Sequence, residues 1–173
     1  ALAVDNAAIN GAGTAEPLGI LNTAGIQTVA WPATVNIGTV FQTTSKMIGL
    51  ADTANVAASR SFLISPGVRA FSLSLVDSNG QPLPKNAIFH GEPVSVSNQV
   101  PTNLNPGGNK HGLIYGDWAE LLIGIWSEID ILINPYESAA YKRGNISMRA
   151  IATVDTACRH PQAFVSATGV VVP

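Results

Sequence analysis

Apolar residues in the first half of the chain recur at the spacing of a helix that buries one face. They fall at Ile37, Val40, Phe41, Met47, Ile48 and Ala51, with Thr44 in the gap. This period predicts a helix that begins after Asn36. Leu2–Ile9 is rich in alanine and predicts the end of another helix, which Asn10-Gly11 stops. Ser65-Pro66 combines a hydroxyl N-cap with proline at the first helical position, so a third helix is expected from there to about Asp77.

The second half of the chain is dominated by patterns typical of β-strands. Short apolar runs and alternating residues predict strands at Phe62–Ile64, Val94–Ser97, Leu113–Tyr115, Leu121–Trp126, Ile129–Ile133 and Ala163–Val165. Alternation also predicts one long strand over Ile146–Val154. Asn79-Gly80 is a tight-turn signal. The strand Leu113–Tyr115 is expected to break at Gly116-Asp117-Trp118. Polar connectors are expected at Asn22–Pro32 and Thr102–Gly112, and the elements together predict an α+β fold.

The composition predicts a protein that hides surface against other chains. Only 12% of the 173 residues are charged, while 46% are hydrophobic. No apolar run approaches the roughly 18 residues that a bilayer requires, so no membrane partner is expected. A net charge of −2 and nine dispersed basic residues argue against nucleic-acid binding, because phosphate contacts need clustered Lys and Arg. The single cysteine, Cys158, permits no internal disulfide. Because so few residues are charged, we expect an obligate assembly in which apolar surface is buried between chains.

The glycine-rich stretch Asn10–Leu21 invites a chemical interpretation first. Gly11 and Gly13 could open a phosphate-binding loop, which would need a third glycine at the sixth position of the motif. That position holds Glu16, a carboxylate that repels phosphate, and Pro17 follows it. The sequence therefore favours a structural corner over nucleotide binding, and no cofactor is expected.

Histidines and one aspartate are the other candidates for chemistry. His90, His111 and His160 each lie beside Gly or Pro, and the pairing of His160 with Cys158 supplies too few ligands for zinc, so no metal site is expected. Asp117 follows a strand and could act as a catalytic carboxylate with one histidine. An aspartate in that position also forms a turn with its own backbone, and no Gly-x-Ser-x-Gly motif supplies a serine nucleophile. A structural role is the favoured interpretation, and no catalytic residue is expected.

The order of these motifs resembles that of the major capsid proteins of tailed bacteriophages. The matching segments are Asn10–Leu21, Phe62–Pro66, Leu75–Leu83, Gly91–Val94, Tyr115–Trp118 and Arg159–Phe164. The resemblance implies the Hong Kong 97-type capsid fold, built from interleaved peripheral and axial domains. It also implies structural or assembly roles for Gly11, Gly13, Pro17, Gly19, Asn79, Gly80, Gly116, Asp117 and Pro161.

The resemblance also implies a domain organisation. Residues 1–30 and 121–173 would form the peripheral domain, and residues 31–120 the axial domain. The family's N-terminal arm, its extended loop and most of its spine helix would precede the glycine corner. They have no counterpart here, so we expect the C-terminal portion of a longer subunit.

The function implied is that of a viral structural protein rather than an enzyme. Copies would form the hexamers and pentamers of an icosahedral phage head that encloses double-stranded DNA. Scaffolding, portal and head-completion proteins would be partners, and the location would be the virion, with assembly in the bacterial cytoplasm. The alternatives are an encapsulin-like nanocompartment shell and a small hydrolase that uses Asp117 with a histidine.

Some members of the family cross-link their shells through Lys–Asn isopeptide bonds promoted by a buried glutamate. Asn145 lies near the position of the asparagine in those members. Ile151 and Ala152 occupy the positions where the glutamate is expected. We therefore expect no cross-linking at Asn145.

Overall fold

The computed structural model describes residues 2–32, 34–55, 59–84, 87–104, 109–127 and 129–171. The α-helices in these ranges are α1 (Leu2–Asn10), α2 (Ile37–Thr53), α3 (Pro66–Ser74) and α4 (Ser138–Tyr141). The strands are β1 (Gln27–Thr28), β2 (Arg60–Ile64), β3 (Val94–Val96), β4 (Lys110–Asp117), β5 (Leu121–Ile125), β6 (Asp130–Asn134), β7 (Ser147–Ile151), β8 (Val154–Cys158) and β9 (Phe164–Val171). Single 3-10 turns occupy Ile20–Asn22, Trp118–Glu120 and Pro161–Ala163. The predicted α+β class is confirmed.

A five-stranded mixed sheet in the order β1-β9-β4-β2-β3 forms the centre of the molecule. The inner strands β9, β4 and β2 pair antiparallel, and the edge strands β1 and β3 run parallel to their neighbours. Leu113, Ile114 and Tyr115 in β4 are completely buried. Strand β4 is covered on both faces, which explains why its apolar residues are consecutive instead of alternating.

Each face of this sheet packs against a different part of the chain. On one face, Met47 of α2 and Phe71 of α3 cover Phe62 and Tyr115, whose rings lie 4.4 Å apart. On the other face, a second apolar cluster contains Ile9, Ile20, Ile114, Ala163 and Phe164. Because successive strand residues point to opposite faces, Ile114 and Tyr115 belong to different clusters.

Side-chain caps begin both α2 and α3, and the cap at Ser65 is the one that the sequence predicted. The side chain of Asn36 accepts a hydrogen bond from the amide of Thr39, whose hydroxyl accepts one from the amide of Asn36. These reciprocal bonds form a capping box. Ser65 caps α3 by accepting a hydrogen bond from the amide of Val68. Helix α3 ends at Ser74, so the predicted end near Asp77 is too late.

The predicted tight turn at Asn79-Gly80 is present. Gly80 has a φ of 76°, and the side chain of Asp77 accepts hydrogen bonds from the amides of Asn79 and Gln81. Asp77 is thus a turn-forming aspartate of the kind that bonds to its own backbone. Asn79 and Gly80 are both exposed.

An antiparallel ribbon, Leu121–Cys158, extends from the sheet. Strand β5 pairs with β8, and farther out β6 pairs with β7. The predicted single strand over Ile146–Val154 is wrong, because β7 and β8 are separated at Ala152-Thr153. The partner strand bends at the same level: Trp126 donates its amide hydrogen to the carbonyl of Thr153, and Ser127 Oγ accepts from the amide of Thr153.

Two other sequence-based boundaries differ from the structure. Strand β4 begins at Lys110, inside the predicted Thr102–Gly112 loop, of which residues 105–108 lie outside the described ranges. It also continues through Gly116 and Asp117, the first two residues of the predicted break, because Gly116 pairs with Phe164 on one side and with Ser61 on the other. The strand ends before Trp118, where a 3-10 turn begins. The predicted Asn22–Pro32 connector contains the short strand β1.

The division into residues 1–30, 31–120 and 121–173 stays a prediction. One observation bears on its last boundary: β9 lies between β1 and β4 in the central sheet, whereas the ribbon pairs only with itself among the described strands. No helix in the described ranges is long and apolar enough to cross a membrane.

Candidate functional site

The glycine corner is built by close approach of two backbone segments. The amide of Gly11 closes α1 by donating to the carbonyl of Ala7, and the amide of Gly19 donates to the carbonyl of Gly11, both at 2.9 Å. A Cβ on Gly11 would lie 2.0 Å from the carbonyl oxygen of Pro17, and a Cβ on Gly19 would lie 2.4 Å from the nitrogen of Gly11. The corner therefore excludes side chains at both positions.

Glycine serves two different purposes at the three corner positions. Gly13 has a φ of 76°, whereas Gly11 and Gly19 do not lie in the left-handed region. For those two the requirement is steric. Sequence inspection also missed Asn22, whose side-chain amide donates to the carbonyls of Asn10 and Gly11 at 3.0 Å. An asparagine just after a glycine-rich stretch is the signal that points to such a bond.

The phosphate-loop interpretation has no support in this geometry. Glu16 Oε1 accepts a hydrogen bond of 2.9 Å from the amide of Ala12, so that amide already donates to a carboxylate of the chain. A bound phosphate would need free amides at the same place. The corner is closed by its own backbone and side chains.

Gly116 and Asp117 meet the chain's later turn at Pro161. A Cβ on Gly116 would lie 2.5 Å from Phe164 Cδ1, so glycine permits β4 and β9 to approach at this point. Asp117, which is 3% exposed, accepts a hydrogen bond of 3.0 Å from the amide of Ala119 and so starts the 3-10 turn. Pro161 begins the 3-10 turn that leads into β9. Phe164 and Ala163 belong to the second apolar cluster, and the corner contributes Ile20 to the same cluster.

The histidines do not join Asp117 in a catalytic arrangement. His90 stacks on Phe41 with ring centroids 4.1 Å apart, and its Nε2 lies 3.2 Å from Thr44 Oγ1. His111 is the second residue of β4 and Asp117 is the last, so six residues, or roughly 20 Å, separate them. Among the described residues no histidine is hydrogen-bonded to Asp117, and no group of three metal-ligating side chains occurs there.

His111 instead connects β4 to the start of α3. Its Nδ1 lies 2.7 Å from Ser65 Oγ, which also accepts from the amide of Val68. The Ser65 hydroxyl thus joins the imidazole of His111 to the first turn of α3. Burial lowers the pKa of His111 below its ordinary value. Gly67 makes the contact possible, since a Cβ there would lie 2.5 Å from His111 Cε1.

A cavity of about 320 Å³ lies between α3 and the edge strand β3. Its charged lining residues are Arg69 and Glu92, and its other walls include Leu73 and Val94. It contains neither a histidine nor Asp117. The pair of Asp117 with a histidine, which the hydrolase alternative invokes, therefore does not lie in this cavity.

The ribbon is the most apolar exposed part of the described chain. Twelve of the twenty large hydrophobic side chains that are exposed in the described ranges lie between residues 121 and 158. They are Leu122, Ile123, Ile125, Trp126, Ile129, Ile131, Leu132, Ile133, Tyr136, Tyr141, Ile146 and Met148. Contiguous apolar surface of this kind marks an interaction site. The sequence indicated the strands but not their exposure, because a run with apolar residues on both faces resembles a buried strand.

Solved capsid structures share this fold at low sequence identity. The capsid chain of a native GTA particle superposes with a TM-score of 0.72 at 17% identity, over 98% of this chain and 61% of that chain. A chain from Mycobacterium phage Adephagia gives 0.72 at 15%, over 99% and 62%. A virus-like particle from Pyrococcus furiosus gives 0.65 at 16%, over 94% and 61%. This chain thus spans about three fifths of the length of these capsid chains.

The sequence comparisons agree with the fold. No curated protein sequence matches the chain at a significant level. A model of the phage capsid family, by contrast, matches residues 1–169, which is nearly the whole chain. The expected Hong Kong 97-type fold is confirmed by the capsid structures. The chain belongs to the phage capsid family.

Proposed function

We propose that this chain is a major capsid subunit, a viral structural protein that assembles with copies of itself into an icosahedral phage head. The observation that carries the proposal is the ribbon, whose large hydrophobic side chains are exposed in the single chain. An isolated soluble protein gains nothing from such a surface, whereas a shell subunit buries it against neighbours. Family membership supports the same role.

The proposed partners are other copies, arranged as hexamers and pentamers, together with scaffolding, portal and head-completion proteins. The related GTA capsid was solved with C5 symmetry, which supports five-fold rings for that protein and by analogy for this one. The shell would enclose double-stranded DNA without specific binding, since a net charge of −2 provides no basic surface. The proposed locations are the virion and, during assembly, the cytoplasm of the bacterial host.

We propose a peripheral domain made of residues 1–26 and the ribbon, and an axial domain made of the central sheet with α2 and α3. The pairing of β1 with β9 supports moving the first boundary from residue 30 to residue 26. The pairing of β9 with β4 supports returning residues 164–171 to the axial domain. The second peripheral segment would then end near Cys158 instead of at the end of the chain. The corner residues Gly11, Gly13, Pro17 and Gly19 would join the two domains.

The proposed role is structural and needs no catalysis. Asp117 and the histidines His90 and His111 are each engaged in separate local contacts, which disfavours the hydrolase alternative. The family match favours the phage shell over the nanocompartment. Asn145 is exposed, but Ile151 occupies a position where the glutamate that promotes a Lys–Asn isopeptide bond is expected. The shell would therefore be held by non-covalent contacts.

Electron microscopy with analytical ultracentrifugation tests this proposal. The purified protein is concentrated stepwise, and each step is examined by negative staining and by sedimentation velocity. Closed particles of uniform diameter, appearing above a threshold concentration, are the expected result. A protein that remains monomeric at every concentration and salt condition overturns the proposal. Particles that contain a host enzyme but no DNA in producing cells favour the nanocompartment.

A further inference from the structure

The outer half of the ribbon, where β6 pairs with β7, has two chemically different faces. Directly opposed residues of an antiparallel pair share a face, and successive residues alternate between faces. The pairs Ile131–Ala150 and Ile133–Met148 form one face, which we name the apolar face. The opposite face carries Asp130, Leu132, Asn134, Ser147, Arg149 and Ile151. All the charge in these two strands therefore lies on one side.

The apolar face is open to solvent in the single chain. Ile131 is 64% exposed, Ile133 is 65% exposed and Met148 is 72% exposed, and Ala150 is exposed as well. At the areas typical of aliphatic side chains, these residues present roughly 300 Å² of apolar surface. Water contact at this surface is unfavourable, and covering it is favourable.

The opposite face is unsuited to burial. Asp130 and Arg149 lie on it as diagonal neighbours, and neither forms an ion pair with another residue of the described ranges. Burying either charge without a partner would carry a large desolvation penalty. The apolar face is thus suited to burial, and the opposite face is suited to contact with water.

The area of the apolar face indicates what covers it. A stable pairwise complex buries about 800 Å² on each partner, more than twice what this face offers. A contact this small holds weakly by itself but gains strength when it is repeated in a closed assembly in which each subunit makes several contacts. A neighbouring copy in a shell meets that condition, whereas a separate one-to-one partner does not.

We propose that a neighbouring copy of this chain covers the apolar face in the assembled shell, while the face with Asp130 and Arg149 remains toward solvent. This inference rests on the proposed function and names the surface that the function uses.

Adjacent residues of β6 provide a matched pair of variants. Ile131→Lys places a charge on the apolar face, and Leu132→Lys places the same charge on the opposite face of the same strand. Leu132 is 54% exposed, close to the value for Ile131. Both substitutions lie at exposed positions, so neither is expected to change folding. Far-UV circular dichroism and the urea midpoint of the monomer check this for each variant.

The readout is the threshold concentration for particle formation, measured by sedimentation velocity with negative-stain microscopy. Ile131→Lys is expected to raise the threshold at least tenfold, and Leu132→Lys to change it less than twofold. Ile131→Val, which keeps the face apolar, is expected to assemble like the wild type. Equal effects of the two lysine variants, or a larger effect of Leu132→Lys, overturn the inference while the shell function stands. A wild-type protein that never forms particles overturns both.

Discussion

Gly11 and Gly19 lie so close together that the amide of Gly19 donates to the carbonyl of Gly11 at 2.9 Å, and neither residue has space for a Cβ. The contact ties the end of α1 to the chain that continues toward the central sheet. The side chain of Asn22 adds a second link by donating to the carbonyl of Gly11. The corner is thus a rigid junction rather than a flexible hinge.

Alanine at either corner glycine is expected to destabilise the protein strongly. In Gly11→Ala and Gly19→Ala the new Cβ would overlap backbone atoms that cannot rotate away, so the free energy of unfolding should fall by more than about 2 kcal/mol. Gly49→Ala is the control, because Gly49 lies within α2 and a Cβ there would meet no atom within 4 Å. That substitution should raise the free energy of unfolding by up to about 1 kcal/mol. Urea titrations followed by circular dichroism measure all three, and equal midpoints would contradict the steric account.

Gly13 is expected to respond to a different property, its positive φ of 76°. Asparagine tolerates the left-handed region better than a β-branched residue, so Gly13→Asn should lose less stability than Gly13→Val. Both side chains would meet Leu18, whose Cδ1 is 2.9 Å from the Cβ position, but that is the end of a mobile side chain. The same urea titrations compare the variants. An equal or smaller loss for valine would contradict the assignment of this position to its φ.

Thr44 carries a buried link between α2 and the segment before β3. Its hydroxyl lies 2.8 Å from the carbonyl of Ile88, a contact outside its own helix. The Thr44→Val variant leaves that carbonyl without this donor and should cost about 1–3 kcal/mol of unfolding free energy. Thr43→Val is the matched control, because the Thr43 hydroxyl donates to the carbonyl of Thr39 in the same helix. Guanidinium unfolding of the two variants tests this, and an equal loss for Thr43→Val would contradict it.

His111 predicts a component of acid sensitivity. Its pKa is lowered in the folded protein, so the unfolded chain takes up a proton at a higher pH than the native state does. Stability from this group is complete above the ordinary histidine pKa of about 6.5 and is lost as pH falls through the lower folded value. Urea midpoints measured from pH 7.5 to 5 should therefore fall less steeply for His111→Gln than for the wild type. Identical slopes would show that His111 does not contribute.

Local chemistry could be predicted from the sequence wherever neighbouring residues determine it. Ser65 marked the start of α3, because its side chain accepts from an amide a few residues away. Asn79-Gly80 marked its turn, because glycine adopts the positive φ that the turn requires. The candidate corner was found for the same reason. The reason why Gly11 must be glycine could not be predicted, because the clash of a Cβ with the carbonyl oxygen of Pro17 depends on how the chain folds back.

Long-range pairing was beyond the sequence pattern. The insertion of β9 beside β4 joins residues about fifty positions apart, and no local period encodes that choice. The break between β7 and β8 also escaped, because alternation continues through Ala152 while the hydrogen bonding shifts to Trp126. The exposed ribbon was missed on similar grounds, since hydrophobicity alone does not distinguish burial within a chain from burial between chains.

Removal of the outer ribbon tests the proposed division into two domains. Residues 123–156 would be replaced by Asn-Gly, a two-residue hairpin connection that joins the directly opposed residues Leu122 and Ala157. The five-stranded sheet contains none of the deleted residues, so the shortened chain should still unfold cooperatively in urea. It should form no particles at any concentration, because the surface assigned to neighbouring copies is gone. A shortened chain without a cooperative transition would mean that the sheet depends on the ribbon, and one that still assembled would mean that the shell contacts lie elsewhere.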